Sequence, residues 1–68
     1  MYVLKEEIAE QLKRKYRGDY FAKEIGISNT YISLILNRKK TCPKRIAYCI
    51  TKVINNEAEI EEYFERIK

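Results

Sequence analysis

The sequence predicts an all-α fold of four or five short helices in a single domain, residues 1–68. Apolar residues recur every three or four positions along most of the chain, which is typical of helices with one buried face. Glycine, proline and asparagine interrupt this pattern at Gly18, Gly26, Pro43 and Asn55–Asn56, which predicts where helices end or begin. Sixty-eight residues are enough for one small core.

The first predicted helix covers residues 4–16. Its apolar stripe repeats every four residues, at Leu4, Ile8, Leu12 and Tyr16. Acidic side chains occupy its first half and basic side chains its last turns, an order that suits the helix dipole. Gly18 is predicted to end this helix, and Asp19 to cap the next one.

Two helices joined by a tight turn are predicted over residues 19–37. Gly26 can adopt the left-handed conformation that ends a helix, and Ser28 can accept a backbone N–H at the start of the next. Ile27 lies in the turn itself and is apolar, so we expect the turn to pack against the core.

This stretch resembles the helix-turn-helix of the lambda-repressor and Cro family of DNA-binding proteins. That family has a small residue four positions before the turn glycine, here Ala22. Its apolar positions around the glycine are occupied by Phe21, Ile25, Ile27, Ile32 and Ile35. The chain departs from the family at Gly18, where many members have a glutamine. The resemblance implies a compact lambda-repressor-like domain; the alternative is a helical hairpin with an ordinary core.

The resemblance implies that the second helix of the pair, residues 28–37, enters the DNA major groove. Its outer side carries the residues expected to contact base edges, which are Asn29, Thr30, Ser33 and Leu34. Leu34 has an equal alternative as a partly buried core residue. Because this face has no arginine or lysine, we expect a weak preference for A·T contacts.

The charge distribution predicts where phosphates would bind. Residues 26–56 contain six basic side chains and no acidic ones, whereas residues 57–68 are acidic. The cations of this segment are therefore expected to contact the DNA backbone, namely Arg38, Lys39, Lys40, Lys44 and Arg45. The resemblance implies a phosphate contact for Asn37 as well, and Tyr31 is expected either to stack or to bind a phosphate through its hydroxyl. The alternative for these cations is an ordinary solvated surface.

Two further helices are predicted after residue 42. Pro43 opens the fourth, with Thr41 or Cys42 as its cap. Asn56 and Glu59 form a capping-box-like start for a fifth helix, about residues 57–67. Its apolar stripe closes the core, joins two subunits as in several family members, or does both; the stripe consists of Ile60, Tyr63, Phe64 and Ile67.

The function that the sequence predicts is sequence-specific binding of double-stranded DNA by a homodimeric transcriptional regulator. The resemblance implies a small Cro-like repressor of a phage or mobile element. The alternative is a protein-interaction module on the same scaffold, such as an antitoxin-like partner or an inhibitor of a nucleic-acid enzyme. The chain has no histidine and no constellation of nucleophile and base, so no enzyme is expected.

No cofactor, metal or small-molecule ligand is expected either. The two cysteines, Cys42 and Cys49, do not have the spacing of a zinc site and are expected to be reduced, with Cys49 buried. No apolar run is long enough for a membrane span, and no signal-peptide pattern opens the chain, so a cytoplasmic location is expected.

Overall fold

A short antiparallel ribbon joins the two ends of a chain that is otherwise mostly helical. The computed structural model describes residues 1–16 and 18–67. These residues form β1 (Tyr2–Leu4), α1 (Glu6–Lys15), α2 (Gly18–Ile25), α3 (Asn29–Leu36), α4 (Lys44–Ile54), α5 (Ile60–Tyr63) and β2 (Phe64–Arg66). The prediction of a mostly helical fold with up to five helices is confirmed, and none of the described helices has the length and apolarity to cross a bilayer.

The strand β1 is hydrogen-bonded along both edges. On one edge it pairs with β2, which places Leu4 opposite Phe64. On the other edge Tyr2 and Cys42 exchange two backbone hydrogen bonds of 2.8 and 2.9 Å. The predictions that the first helix begins at residue 4 and that the last extends to 67 are therefore wrong. Pairing between the chain ends satisfies these backbone groups instead, and Leu4 and Phe64 enter the core from strands.

The corner between α2 and α3 has the conformation that its glycine and serine predict. Gly26 has φ +84°, the left-handed region in which a residue with a Cβ is strained. The Ser28 hydroxyl accepts a hydrogen bond from the Tyr31 N–H at 3.1 Å and so caps α3. Ile27 is half-buried and packs against the core, as expected.

Two predicted helix starts differ from the structure by one residue. Helix α2 begins at Gly18, so Asp19 lies in its first turn and is not the N-cap. Helix α4 begins at Lys44, and Pro43 is its N-cap residue. Neither Thr41 nor Cys42 caps α4, and the backbone of Cys42 is instead hydrogen-bonded to that of Tyr2.

One contiguous core connects every element. Its fully buried side chains come from both strands, from α2, α3 and α4, and from the loop after α3; the largest are Phe21, Phe64, Leu4, Ile32, Ile35, Ile50, Thr51 and Cys42. The expectation that Cys49 is buried is wrong, since Cys49 is only half-buried and Cys42 is the enclosed thiol. Burial raises the pKa of Cys42 to about 11, so this thiol is protonated at neutral pH.

The turn between α4 and α5 has a different cap from the predicted one. The Glu59 N–H donates to the Glu62 carboxylate at 2.7 Å, so Glu59 and Glu62 form the capping pair, not Asn56 and Glu59. The Lys52 ammonium donates to the carbonyl oxygens of Asn56 and Ala58 at 3.2 and 2.9 Å. These bonds hold the acidic end of the chain against the end of α4.

Candidate nucleic-acid interface

The first turns of α3 present polar side chains to solvent. Ile32, Ile35 and Leu36 form the buried side of the helix. On the other side the predicted base-contacting residues Asn29, Thr30 and Ser33 are exposed, and Leu34 is half-buried. Leu34 is therefore compatible with both roles considered for it. A short helix with one anchored face and one polar face has the shape that a DNA groove accepts.

A tyrosine and a lysine lie together beside this polar face. Tyr31, on α3, packs partly against the core, and the Lys40 ammonium lies 5.6 Å from the centre of its ring. Burial, followed by the nearby Cys42, raises the pKa of the Tyr31 hydroxyl above its ordinary 10.0. The hydroxyl is therefore neutral at physiological pH and can donate a hydrogen bond to a phosphate oxygen.

Asn37, at the end of α3, is already engaged within the protein. Its amide nitrogen donates to the Ser33 carbonyl oxygen at 2.8 Å, and its amide oxygen accepts from the Lys13 ammonium at 3.3 Å. Lys13 belongs to α1 and also lies 3.7 Å from Glu10. The structure thus adds a cation from α1 to the C-terminal end of α3. From the sequence, the helix dipole alone explains the basic residues of α1, and a contact across 24 residues leaves no local signal.

Arg38 differs from the other predicted backbone-binding residues. Its Nε–H donates to the Leu4 carbonyl oxygen at 2.9 Å, and its Nη1 lies 3.8 Å from the Glu6 carboxylate. Its backbone has φ +58°, the left-handed region. The guanidinium is therefore directed back to β1 and the start of α1, where it ties the loop to the strand. In this arrangement it serves as an internal anchor, not as a free cation for a phosphate.

Three of the predicted cations, unlike Arg38 and Lys40, have no partner within the described part of the chain. The side chains of Lys39, Lys44 and Arg45 are exposed and form no hydrogen bond or ion pair with residues 1–16 or 18–67. Lys39 belongs to the loop that leaves α3, and Lys44 and Arg45 form the first turn of α4. Cations in the first turn oppose the helix dipole, so an external anion would relieve an unfavourable arrangement.

The predicted dimer stripe is largely inside the protein. Ile60 and Phe64 are 6% and 1% exposed, and Tyr63 is half-buried against the core. Ile67 is 38% exposed and lies at the end of the ribbon next to Met1, to which it is hydrogen-bonded. The core-closing alternative therefore describes Ile60 and Phe64, and Ile67 is the predicted contact residue with a substantial exposed surface.

No family model, curated protein or solved structure matches this chain. The described residues also contain no group of three or more potential metal ligands. The chemistry of the site is that of its own side chains: short polar groups on an exposed helix, a neutral tyrosine hydroxyl, and cations without partners among the described residues.

Proposed function

We propose that this protein binds double-stranded DNA with sequence preference, as a small transcriptional regulator with a lambda-repressor-like helix-turn-helix. In this proposal α2 supports α3, and α3 lies in the major groove. The observation that carries it is the exposed polar side of α3, where Asn29, Thr30 and Ser33 project from a helix that is buried on its other side. The N-terminal residues of such a helix contact base edges.

The positions of the cations support the same function. Lys40 lies beside Tyr31 on α3, and Lys39, Lys44 and Arg45 follow in the next loop and helix without internal partners. Phosphate contacts of this kind provide most of the affinity, because each one releases condensed counterions from the duplex. Base contacts from α3 would then select among sequences. A bound copy would repress transcription by blocking polymerase, as a Cro-like repressor does.

A salt titration tests the electrostatic part of the proposal. A duplex selected from a random pool is labelled, and its affinity is measured by fluorescence anisotropy over a range of salt concentrations. We expect affinity to fall steeply as salt rises, and Lys39→Ala and Lys40→Ala each to reduce the slope by about one. Arg66→Ala is the charge-matched control, since Arg66 is exposed on β2 and is not a predicted contact.

Three results would count against the proposal. Binding that does not depend on salt would exclude phosphate contacts. An Arg66 effect equal to that of Lys39 and Lys40 would show only general charge attraction. The absence of any DNA binding would favour the protein-interaction module, although the apolar stripe that suggested that alternative is mostly buried at Ile60 and Phe64.

Two copies on DNA remain part of the proposal. A homodimer would place two α3 helices in successive major grooves, about 34 Å apart, and would select a palindrome. Sedimentation of the protein with the selected duplex should give two copies per duplex. A single copy on a non-palindromic site would limit the proposal to monomeric binding.

A further inference from the structure

A cleft of about 300 Å³ lies where the end of α1 meets the start of α2. It is lined by Lys15, Tyr16, Asp19, Tyr20 and Lys23. None of these residues belongs to the predicted DNA contacts, and the cleft is separate from the polar side of α3. Its volume is at the lower end of the range that small-molecule sites occupy.

Two stacked aromatic rings give this cleft an apolar wall, and a third ring, in the core, packs against both. The rings of Tyr16 and Tyr20 stack with centres 5.1 Å apart and planes 21° from parallel. Phe21, which is fully buried, meets both rings edge-on at 5.2 and 5.4 Å. Because Phe21 is fixed by the core, it holds the two tyrosines in place. Tyr20 is nevertheless 40% exposed, which leaves ring surface available to a flat ligand.

The charged residues of the cleft favour an anion. Among the described residues that line the cleft, two are basic, Lys15 and Lys23, and one is acidic, Asp19. The Lys15 ammonium lies 5.6 Å from the centre of the Tyr16 ring, so a cation is held directly beside the aromatic wall. A ligand that covers the ring would bring a carboxylate or phosphate within reach of this cation.

We propose that this cleft binds a planar aromatic molecule that carries an anionic group. The flat part of the ligand stacks on Tyr20, and its carboxylate or phosphate lies near Lys15 and Lys23. A mononucleotide and a simple aromatic acid share this chemistry. The proposal does not depend on DNA binding, although a regulator with such a site would respond to a small molecule. It revises the sequence-based expectation that no small-molecule ligand binds.

Amide chemical shifts of the full chain provide the test. The ¹⁵N-labelled protein is titrated with salicylate and with adenosine monophosphate, and in parallel with cyclohexanecarboxylate, which lacks the flat ring, and benzyl alcohol, which lacks the charge. We expect saturable shifts around Tyr16, Tyr20 and Lys23 with at least one aromatic anion, and weaker binding of both comparison compounds. The tighter of the two aromatic anions identifies the ligand class.

Variants distinguish specific binding in this cleft from nonspecific binding to the protein surface. Tyr20→Ala should weaken binding by about tenfold, because it removes the stacking surface. Lys23→Gln changes only an exposed side chain and should weaken binding by about threefold. The matched control is Tyr48→Ala: Tyr48 is 51% exposed and has Lys52 at 5.3 Å from its ring, but it does not line this cleft, so no change is expected.

The proposal is wrong if cyclohexanecarboxylate binds as tightly as the aromatic anions, or if the shifts lie on α3 or α4. It is equally wrong if Tyr48→Ala weakens binding as much as Tyr20→Ala. If the protein bound an aromatic anion at this cleft but did not bind DNA, this proposal would stand and only the proposed function would be overturned.

Discussion

Replacement of Arg38 should lower the free energy of unfolding, whereas the dependence of DNA affinity on salt concentration should change little. Arg38 is one of the three consecutive cations after α3, and from sequence alone it is indistinguishable from Lys39 and Lys40 as a phosphate contact. In the structure its guanidinium donates to the Leu4 carbonyl oxygen at 2.9 Å in a part-buried setting. Arg38→Ala removes this bond and leaves that acceptor with one partner fewer.

The expected loss of stability in Arg38→Ala has two contributions, and backbone strain separates the glycine variant from the alanine variant. A hydrogen bond from a charged donor stabilises by about 1.5–3 kcal/mol, and partial exposure places this one near 1.5–2 kcal/mol. The ion pair with Glu6 is 3.8 Å long, and the carboxylate side chain is 80% exposed, so it adds only about 0.3 kcal/mol. Alanine at φ +58° keeps the backbone strain, whereas glycine relieves about 1 kcal/mol of it.

Urea denaturation followed by circular dichroism tests these values. We expect Arg38→Ala to lower the free energy of unfolding by about 2 kcal/mol, and Arg38→Gly by about 1 kcal/mol less. Lys39→Ala, the neighbouring cation without an internal partner, should change it by less than about 0.5 kcal/mol. If Arg38→Ala were as mild as Lys39→Ala, the anchoring role of the guanidinium would be refuted. If glycine were no better than alanine, the contribution assigned to backbone strain would be wrong.

Three further predictions concern base contacts, the turn and the buried thiol. Asn29→Ala or Thr30→Ala should relax base preference by about 1–3 kcal/mol at one position in a binding selection; a uniform loss across all sequences would make these residues backbone contacts. Gly26→Ala should cost about 1–2 kcal/mol in urea denaturation, solely from its φ of +84°, because an added Cβ meets nothing within 4 Å; a larger cost would indicate a clash. The Cys42 pKa is raised from 9.0 to about 11, so above pH 9 the unfolded chain loses this proton first. Stability should then fall by about 2–3 kcal/mol up to pH 11, and Cys42→Ala, measured in parallel, should lack this component of the fall.

The central part of the fold could be predicted because its signals are local. The left-handed glycine, the serine cap three residues before its donor and the apolar spacing of α3 all lie within a few positions of one another. The predictions were confirmed for residues that act through such short-range geometry, such as Gly26 and Ser28. The exposure of Asn29, Thr30 and Ser33 followed from the same helical spacing.

The ends of the chain could not be predicted in the same way. Strands β1 and β2 have three residues each, too few for an alternating pattern, and their partner lies at the opposite end of the sequence. A single helix would fit the apolar spacing of this segment as well as the observed short helix and strand do; the apolar residues are Ile60, Tyr63, Phe64 and Ile67. The anchoring role of Arg38 was missed for a related reason, because its acceptor is 34 residues away. Contacts over such distances are decided by the assembled core.

The position of β1 between β2 and Cys42 links the last residues of the chain to the cationic loop. A truncation that removed β2 would leave one edge of β1 unpaired. Strand β1 in turn contacts both ends of the cationic loop: Leu4 accepts a hydrogen bond from Arg38, and Tyr2 pairs with Cys42. The residues of β2, which are not predicted to contact DNA, would thereby influence the positions of Lys39 and Lys40. Shortened or C-terminally fused versions of the protein should be compared with the full chain before any loss of affinity is attributed to the loop itself.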